Sequence, residues 1–364
     1  MTQPANTKPW WRILIARAAT VALALGGVAL FMILDLPLPF LFGTMAVCLV
    51  AALMGARLAG LGQISVAART ILGVAVGASI TPDVVARIPQ MAMSVALVPL
   101  YVLLIGLVGV PFFRRLGFDP ATSYYAAMPG GLQDMVIFGQ EAGADVRALA
   151  LIHATRVAVL VTIAPMILVW LYDAPLTGAI GAPIAGFAWD QLAWMVAAAL
   201  IGWKGGEYVG LFGATILGPM IVTAALSLAG IITQRPPAEA IMAAQFFIGI
   251  GIGVQYVGVT LRELRMFVLS GLAFVIILAV LAAAFTEFVV LTGLAQPLEG
   301  FLAFAPGGQA ELTVLAIVVG ADLGFVVLHH ITRIVVVITG APVMARFMGV
   351  KPPSKDRAPA RADR

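Results

Sequence analysis

Two stretches of this chain place ionisable side chains where an apolar run would otherwise continue. Pro129-Gly130-Gly131 is followed by Asp134 and then by His153-x-x-Arg156, while Pro306-Gly307-Gly308 is followed by Glu311 and then by His330-x-x-Arg333. Carboxylates in such surroundings can carry protons or hold Na⁺. Guanidinium groups can bind an anionic solute or neutralise the acids. A charge taken out of water costs several kcal/mol unless it is paired, so buried ionisable groups mark either function or mutual pairing. Both readings stay open for Asp134, Glu311, Arg156 and Arg333, and His153 and His330 could equally be packing histidines. Proline followed by two glycines also releases backbone amides and carbonyls from their helical partners, and in hydrocarbon these must find protein, water or a ligand. Matched breaks in two halves of a membrane chain point to a central transport site; a kink without a ligand is the alternative.

The two stretches are copies. Residues 129–165 align without a gap on residues 306–342, and fourteen of the 37 positions are identical. Weaker similarity runs upstream, with Phe42-Gly-Thr-Met45 facing Leu217-Gly-Pro-Met220, and Gly73 and Gly77 facing Gly249 and Gly253. Glycines four residues apart share one helix face and allow close backbone approach, so packing is the expected role of these pairs. Asp145 and Asp322 each follow Gly-Ala and open an apolar helix, which predicts an N-cap. His329, Arg69, Glu207 and Glu287 lack a counterpart in the other half and stay unassigned.

The elements that must position these groups are membrane helices. Of 364 residues 62% are hydrophobic and only 10% are charged, against about 25% charged in a typical soluble domain. Apolar runs of the length needed to cross about 30 Å of hydrocarbon recur throughout. Their limits predict segments at 13–34, 38–56, 64–81, 88–113, 121–142 and 146–171, then 187–204, 208–230, 238–257, 265–291, 297–319 and 323–348. The fold class expected is an all-α polytopic membrane protein with two homologous repeats of about six membrane segments each. Segments 121–142 and 297–319 should be broken at Pro-Gly-Gly, and the short segments 38–56 and 64–81 suit half-helices or re-entrant pieces. The organisation read is a first repeat over 1–172, a linker over 173–186, a second repeat over 187–348 and a basic, disordered tail over 349–364.

If residues 129–165 form a hairpin turning at Gly143-Ala144, groups equidistant from the turn share a depth. Asp134 should then face His153, Arg156 should lie level with Gly131, and Glu311, His330 and Arg333 with Gly308 should repeat the arrangement. Two equivalent clusters are expected, Asp134/His153/Arg156 and Glu311/His330/Arg333.

Charge places the chain's ends. Lys351, Lys355, Arg357, Arg361 and Arg364 lie in the tail, which predicts a cytoplasmic C-terminus. The run from Ile13 to Leu34 ends in Asp35-Leu36-Pro37 with no small-residue cleavage site, so it reads as a retained first transmembrane helix. A basic tail on the same side as the N-terminus calls for an even number of crossings, and six crossings per repeat would make the repeats parallel, while inverted repeats with one non-crossing segment are the alternative. The location expected is a bacterial-type inner membrane.

The quoted motifs together resemble the AbrB-duplication membrane family. The doubled Pro-Gly-Gly motif, Gly143-Ala-Asp145 with Gly320-Ala-Asp322, and the two His-x-x-Arg pairs carry that resemblance over essentially the whole chain. Members bear labels that name an ammonia monooxygenase or an AbrB transcriptional regulator. The family is also distantly similar in architecture to cation/proton antiporters and bile-acid-type symporters, whose cores contain broken, crossing helices. This implies a secondary transporter or permease, with no substrate transferred by the analogy.

The other labels fit the residues less well. Oxygen activation needs a metal site, and the chain has three histidines and one cysteine, Cys48; as the alternative reading, a membrane enzyme of the monooxygenase type would need the repeats to bring His153, His330, Asp134 and Glu311 together. Direct DNA binding needs a reading element outside the membrane, and no segment is available for one; an indirect effect on gene expression is compatible. No phosphate-binding GxxxxGK[ST] loop occurs. The expectation is therefore no catalytic or metal-ligating set, no cofactor and no direct nucleic-acid contact. The partners are the lipid bilayer and an unidentified small solute or ion, and a homo-oligomer is left open.

Overall fold

A computed structural model describes residues 10–36, 38–176, 181–211 and 214–347. Among them every regular element is helical. The first half runs through α1 (Trp10–Ile33), a π-helical turn (Pro39–Gly43), α2 (Thr44–Leu53), α3 (Gln63–Gly77), α4 (Pro82–Arg115), α5 (Pro120–Ala127), α6 (Leu132–Glu141) and α7 (Val146–Trp170). The second runs through α8 (Trp189–Tyr208), α9 (Ala214–Leu228), α10 (Ala238–Gly253), α11 (Leu261–Leu291), α12 (Pro297–Phe304), α13 (Gln309–Val318) and α14 (Leu323–Phe347).

Among the described residues six stretches are long and apolar enough to cross a bilayer: Ile13–Ile33, Pro82–Arg115, Val146–Trp170, Ala238–Tyr256, Leu261–Leu291 and Leu323–Gly340. The 15-residue helices α3 and α9 are too short for that: at 1.5 Å per residue each spans about 22 Å of a core about 30 Å thick. Segments 121–142 and 297–319 are broken as expected, with residues 128–131 and 305–308 lying between helices. The tail from 349 and the 177–180 part of the linker lie outside the described residues.

The chain forms two compact units, each drawn from both halves of the sequence. One comprises the described residues of 1–88, 161–261 and 310–324, the other those of 89–160, 262–309 and 325–364. In lipid no hydrophobic force drives apolar helices together, so close packing of small residues must do it. The first unit shows this at several crossings. A Cβ on Gly77 would lie 2.5 Å from the Met220 carbonyl oxygen of α9, and one on Gly253 would lie 2.5 Å from the Cβ of Cys48 on α2. Gly73 meets α9 at Ile216, Gly249 meets Leu41 and Thr44, and Gly27 and Gly202 abut Gly43 and Gly218. The glycine pairs thus let α3 seat on α9 and α10 on α2.

The second unit has an aromatic core. Tyr101, Phe113, Tyr124, Phe274 and Phe304 are fully buried there. The Tyr101 and Phe304 rings meet edge-on at 5.4 Å, and Phe113 meets Phe274 at 4.8 Å. Helix α4 runs unbroken for 34 residues although Pro89, Pro99 and Pro111 lie inside it.

Candidate functional site

The two breaks begin where two eight-residue helices end. Asp119 accepts from the Thr122 amide at 3.0 Å and Pro120 opens the first turn, so α5 starts at a capped end. Helix α12 likewise opens on Pro297, where a missing amide costs nothing. Both stop for one reason. A residue before proline is driven out of the helical region, and Met128 (ψ 134°) and Ala305 (ψ 133°) are extended. The chain re-enters a helix only after the glycines, at Leu132 and at Gln309.

Short helices ended this way present unsatisfied carbonyls carrying partial negative charge. Two arginines satisfy them. Arg156 donates through Nη1 to the Met128 carbonyl at 3.1 Å and through Nη2 to that of Gly130 at 2.6 Å. Arg333 donates likewise to Ala305 at 2.9 Å and Gly307 at 2.7 Å. One turn earlier on the same helices, His153 Nε2 meets the Tyr125 carbonyl at 3.0 Å and His330 Nε2 that of Leu302 at 3.0 Å. Each arginine bridges separations of 28 and 26 residues and each histidine one of 28, in both halves. All four side chains are buried, none more than 3% exposed. Each guanidinium therefore clamps a pair of main-chain oxygens and holds a positive charge at the carbonyl end of a short helix.

The acids sit at the opposite polarity. Asp134 and Glu311 occupy the third helical positions of α6 and α13, where the helix dipole favours a negative charge. The Asp134 side chain lies outside the described residues, and with it the expected contact to His153, whose Nε2 is engaged by Tyr125. Glu311 is buried at 8% exposure in the first unit, whereas His330 and Arg333 belong to the second. Pro129, Gly130, Gly131, Pro306, Gly307 and Gly308 form the loops whose carbonyls the arginines take.

Tyr101 is a polar group that motif reading passes over. Its hydroxyl donates to the Phe304 carbonyl at 2.7 Å, and Arg156 and Arg333 are both near enough to act on it electrostatically. A lone tyrosine in the apolar run of α4 was the available signal. His329, without a counterpart, places Nδ1 2.8 Å from the Phe325 carbonyl oxygen and packs its ring 4.2 Å from that of Phe325.

Asp145 caps α7, accepting from the Ala148 amide at 3.0 Å. Asp322 immediately precedes α14 and also pairs with Arg87 at 2.6 Å. The glycines before them turn the chain with φ of 81° at Gly143 and 70° at Gly320, values that favour glycine. Arg147 and Glu263 form a second ion pair at 3.0 Å.

Fold and site define an all-helical membrane protein whose transmembrane region contains two arginine-clamped helix breaks. The chain belongs to the AbrB family: the family model described as "Transition state regulatory protein AbrB" matches residues 40–349. Among curated proteins it is similar to "Uncharacterized protein YhjN" of Bacillus subtilis (strain 168), 27% identical over 76% of this chain and 77% of the relative. It is also similar to "Putative regulator AbrB" of Escherichia coli (strain K12), 26% identical over 89% of this chain and 94% of the relative. No solved structure matches it.

Proposed function

We propose that this protein is a multi-pass secondary transporter or permease of a bacterial-type inner membrane, handling a small solute or ion at the two Pro-Gly-Gly breaks. The observation that carries the reading is the matched clamp, Arg156 on Met128 and Gly130 and Arg333 on Ala305 and Gly307. Broken helices in lipid are tolerated where the freed backbone is buried in protein or lines a cavity, and here two buried cations stabilise two such breaks. In this reading the halves are copies of one ancestral unit, as their 14 identities over 37 aligned positions suggest. Asp134 and Glu311 carry the coupling proton or Na⁺, while the arginines are fixed charges.

The label of the Escherichia coli relative favours a second reading, an effect on gene expression. With the chain committed to membrane helices, such an effect would run through transport or through a protein partner. Purified protein in proteoliposomes, with pH and Na⁺ gradients imposed separately, tests the transport reading. It predicts ion movement above that of empty vesicles under at least one gradient, and flux equal to empty vesicles under both, across a screen of small solutes, would overturn it.

A further inference from the structure

From one face of α14 His330 reaches α12 and Arg333 the break that follows it, and each keeps one buried polar atom in reserve. His330 is fully buried with Nε2 3.0 Å from the Leu302 carbonyl oxygen. A carbonyl only accepts, so the ring proton sits on Nε2 and the neutral ring leaves a lone pair on Nδ1. Arg333 engages both terminal nitrogens with Ala305 and Gly307, and Nε is the nitrogen of the guanidinium that makes no bond to described residues. Neither His330 Nδ1 nor Arg333 Nε has a hydrogen-bond partner among the described residues. Leaving either atom unsatisfied costs about 1–3 kcal/mol.

The two atoms are complementary, one an acceptor and the other a donor. Side chains three residues apart on a helix start about 5–6 Å from one another. Two polar atoms up to about 6 Å apart can share a single oxygen that makes hydrogen bonds of about 2.8–3.0 Å to each. The guanidinium also lies close enough to act on the ring electrostatically.

We propose that His330 Nδ1 and Arg333 Nε hold one neutral hydroxyl oxygen between them, from water or from the alcohol group of a solute. Its O–H donates to Nδ1 and its lone pair accepts from Nε–H. Other ligand types match less well: a cation is repelled by the guanidinium, and an anion without a proton meets the Nδ1 lone pair. His153 repeats half of the arrangement on α7, fully buried, with Nε2 on Tyr125 and Nδ1 without a partner among the described residues. The site stands whether or not the protein transports anything.

Nitrogen-15 solid-state NMR of the full chain in liposomes tests it, because only three histidines, His153, His329 and His330, contribute. The expected pattern is two neutral rings protonated on Nε2 and one, His329, protonated on Nδ1, where Phe325 accepts. Magnetisation from water protons should reach His330 Nδ1 and Arg333 Nε. In His330→Gln, whose amide can keep the donor to Leu302 but offers no acceptor in the place of Nδ1, the transfer to Arg333 Nε should be lost. Repeating the measurement with carbon-protonated glycerol in deuterated water separates the sources: transfer from the glycerol C–H protons marks a site open to alcohols, and its absence, where ordinary water gave transfer, marks bound water. A His330 ring protonated on Nδ1, a doubly protonated ring, or a neutral Nδ1 that contacts neither pool would overturn the proposal. The wild-type spectra decide this even if the variant fails to fold.

Discussion

Replacing Arg333 by methionine keeps an unbranched stem as far as the position of Nε and removes the guanidinium donors from the second break. In the native protein, opening residues 305–308 must release two charge-assisted bonds, to Ala305 at 2.9 Å and to Gly307 at 2.7 Å. Hydrogen bonds to a charged group contribute about 1.5–3 kcal/mol each, so the pair accounts for at least about 3 kcal/mol of local opening energy. The Tyr101 hydroxyl on the Phe304 carbonyl survives the substitution, which confines the effect to the break itself. At about 1.4 kcal/mol per tenfold, the amides of residues 305–311 should exchange with deuterium roughly 100-fold faster in Arg333→Met, as read by mass spectrometry of the reconstituted protein. The first break, residues 128–131, should keep its native rate, and Arg156→Met should show the converse. Unchanged exchange at 305–311 would refute the clamp, because two short bonds from a buried guanidinium cannot be lost without consequence.

Three further outcomes follow from packing and capping. Gly253→Val forces a side chain against the Cβ of Cys48 and, at 3.1 Å, the Met45 carbonyl and Leu49 amide, and overpacking of this kind costs about 1–3 kcal/mol. Cys48 is the sole cysteine and is fully buried, so a thiol-reactive dye should report unfolding of the variant at a lower temperature, whereas Gly340→Ala, where a Cβ meets nothing within 4 Å, should leave the curve in place. Asp145→Ala removes the cap on α7 and should cost about 1 kcal/mol in chemical denaturation, with Asp145→Asn restoring most of it. A double-mutant cycle on Arg87 and Asp322, whose side chains are 45% and 24% exposed, should return a coupling of about 0.2–1 kcal/mol that shrinks as salt is added.

Sequence reading reached the helices and the breaks because the membrane imposes simple rules on both. Apolar runs near 20 residues became helices within a few residues of their expected limits, as in α1, α7 and α14, and Pro-Gly-Gly stopped a helix at Met128 and at Ala305. The register of His153, Arg156, His330 and Arg333 on their helices was also legible, since a spacing of three fixes a common face. Pairings over long separations were not. Arg87 meets Asp322 across 235 residues, and Tyr101 meets Phe304 across 203, and no local pattern encodes either. The division into two units was equally hidden, because each draws on segments from both halves of the sequence. Helix α4 passes through three prolines without a break, whereas one proline followed by two glycines ends α5 and α12. What separates the cases is the glycine pair, which lowers the cost of leaving the helix after proline has removed a bond.

The central claim is that the two clamped breaks form a transport site whose acids carry the coupling ion. Its most direct test is ion flux in proteoliposomes under whichever gradient drives the wild type, compared with Glu311→Gln and Asp134→Asn, with folding of each variant checked by its melting curve. The account predicts that the folded variants lose gradient-driven flux. Wild-type flux in both folded variants would contradict it.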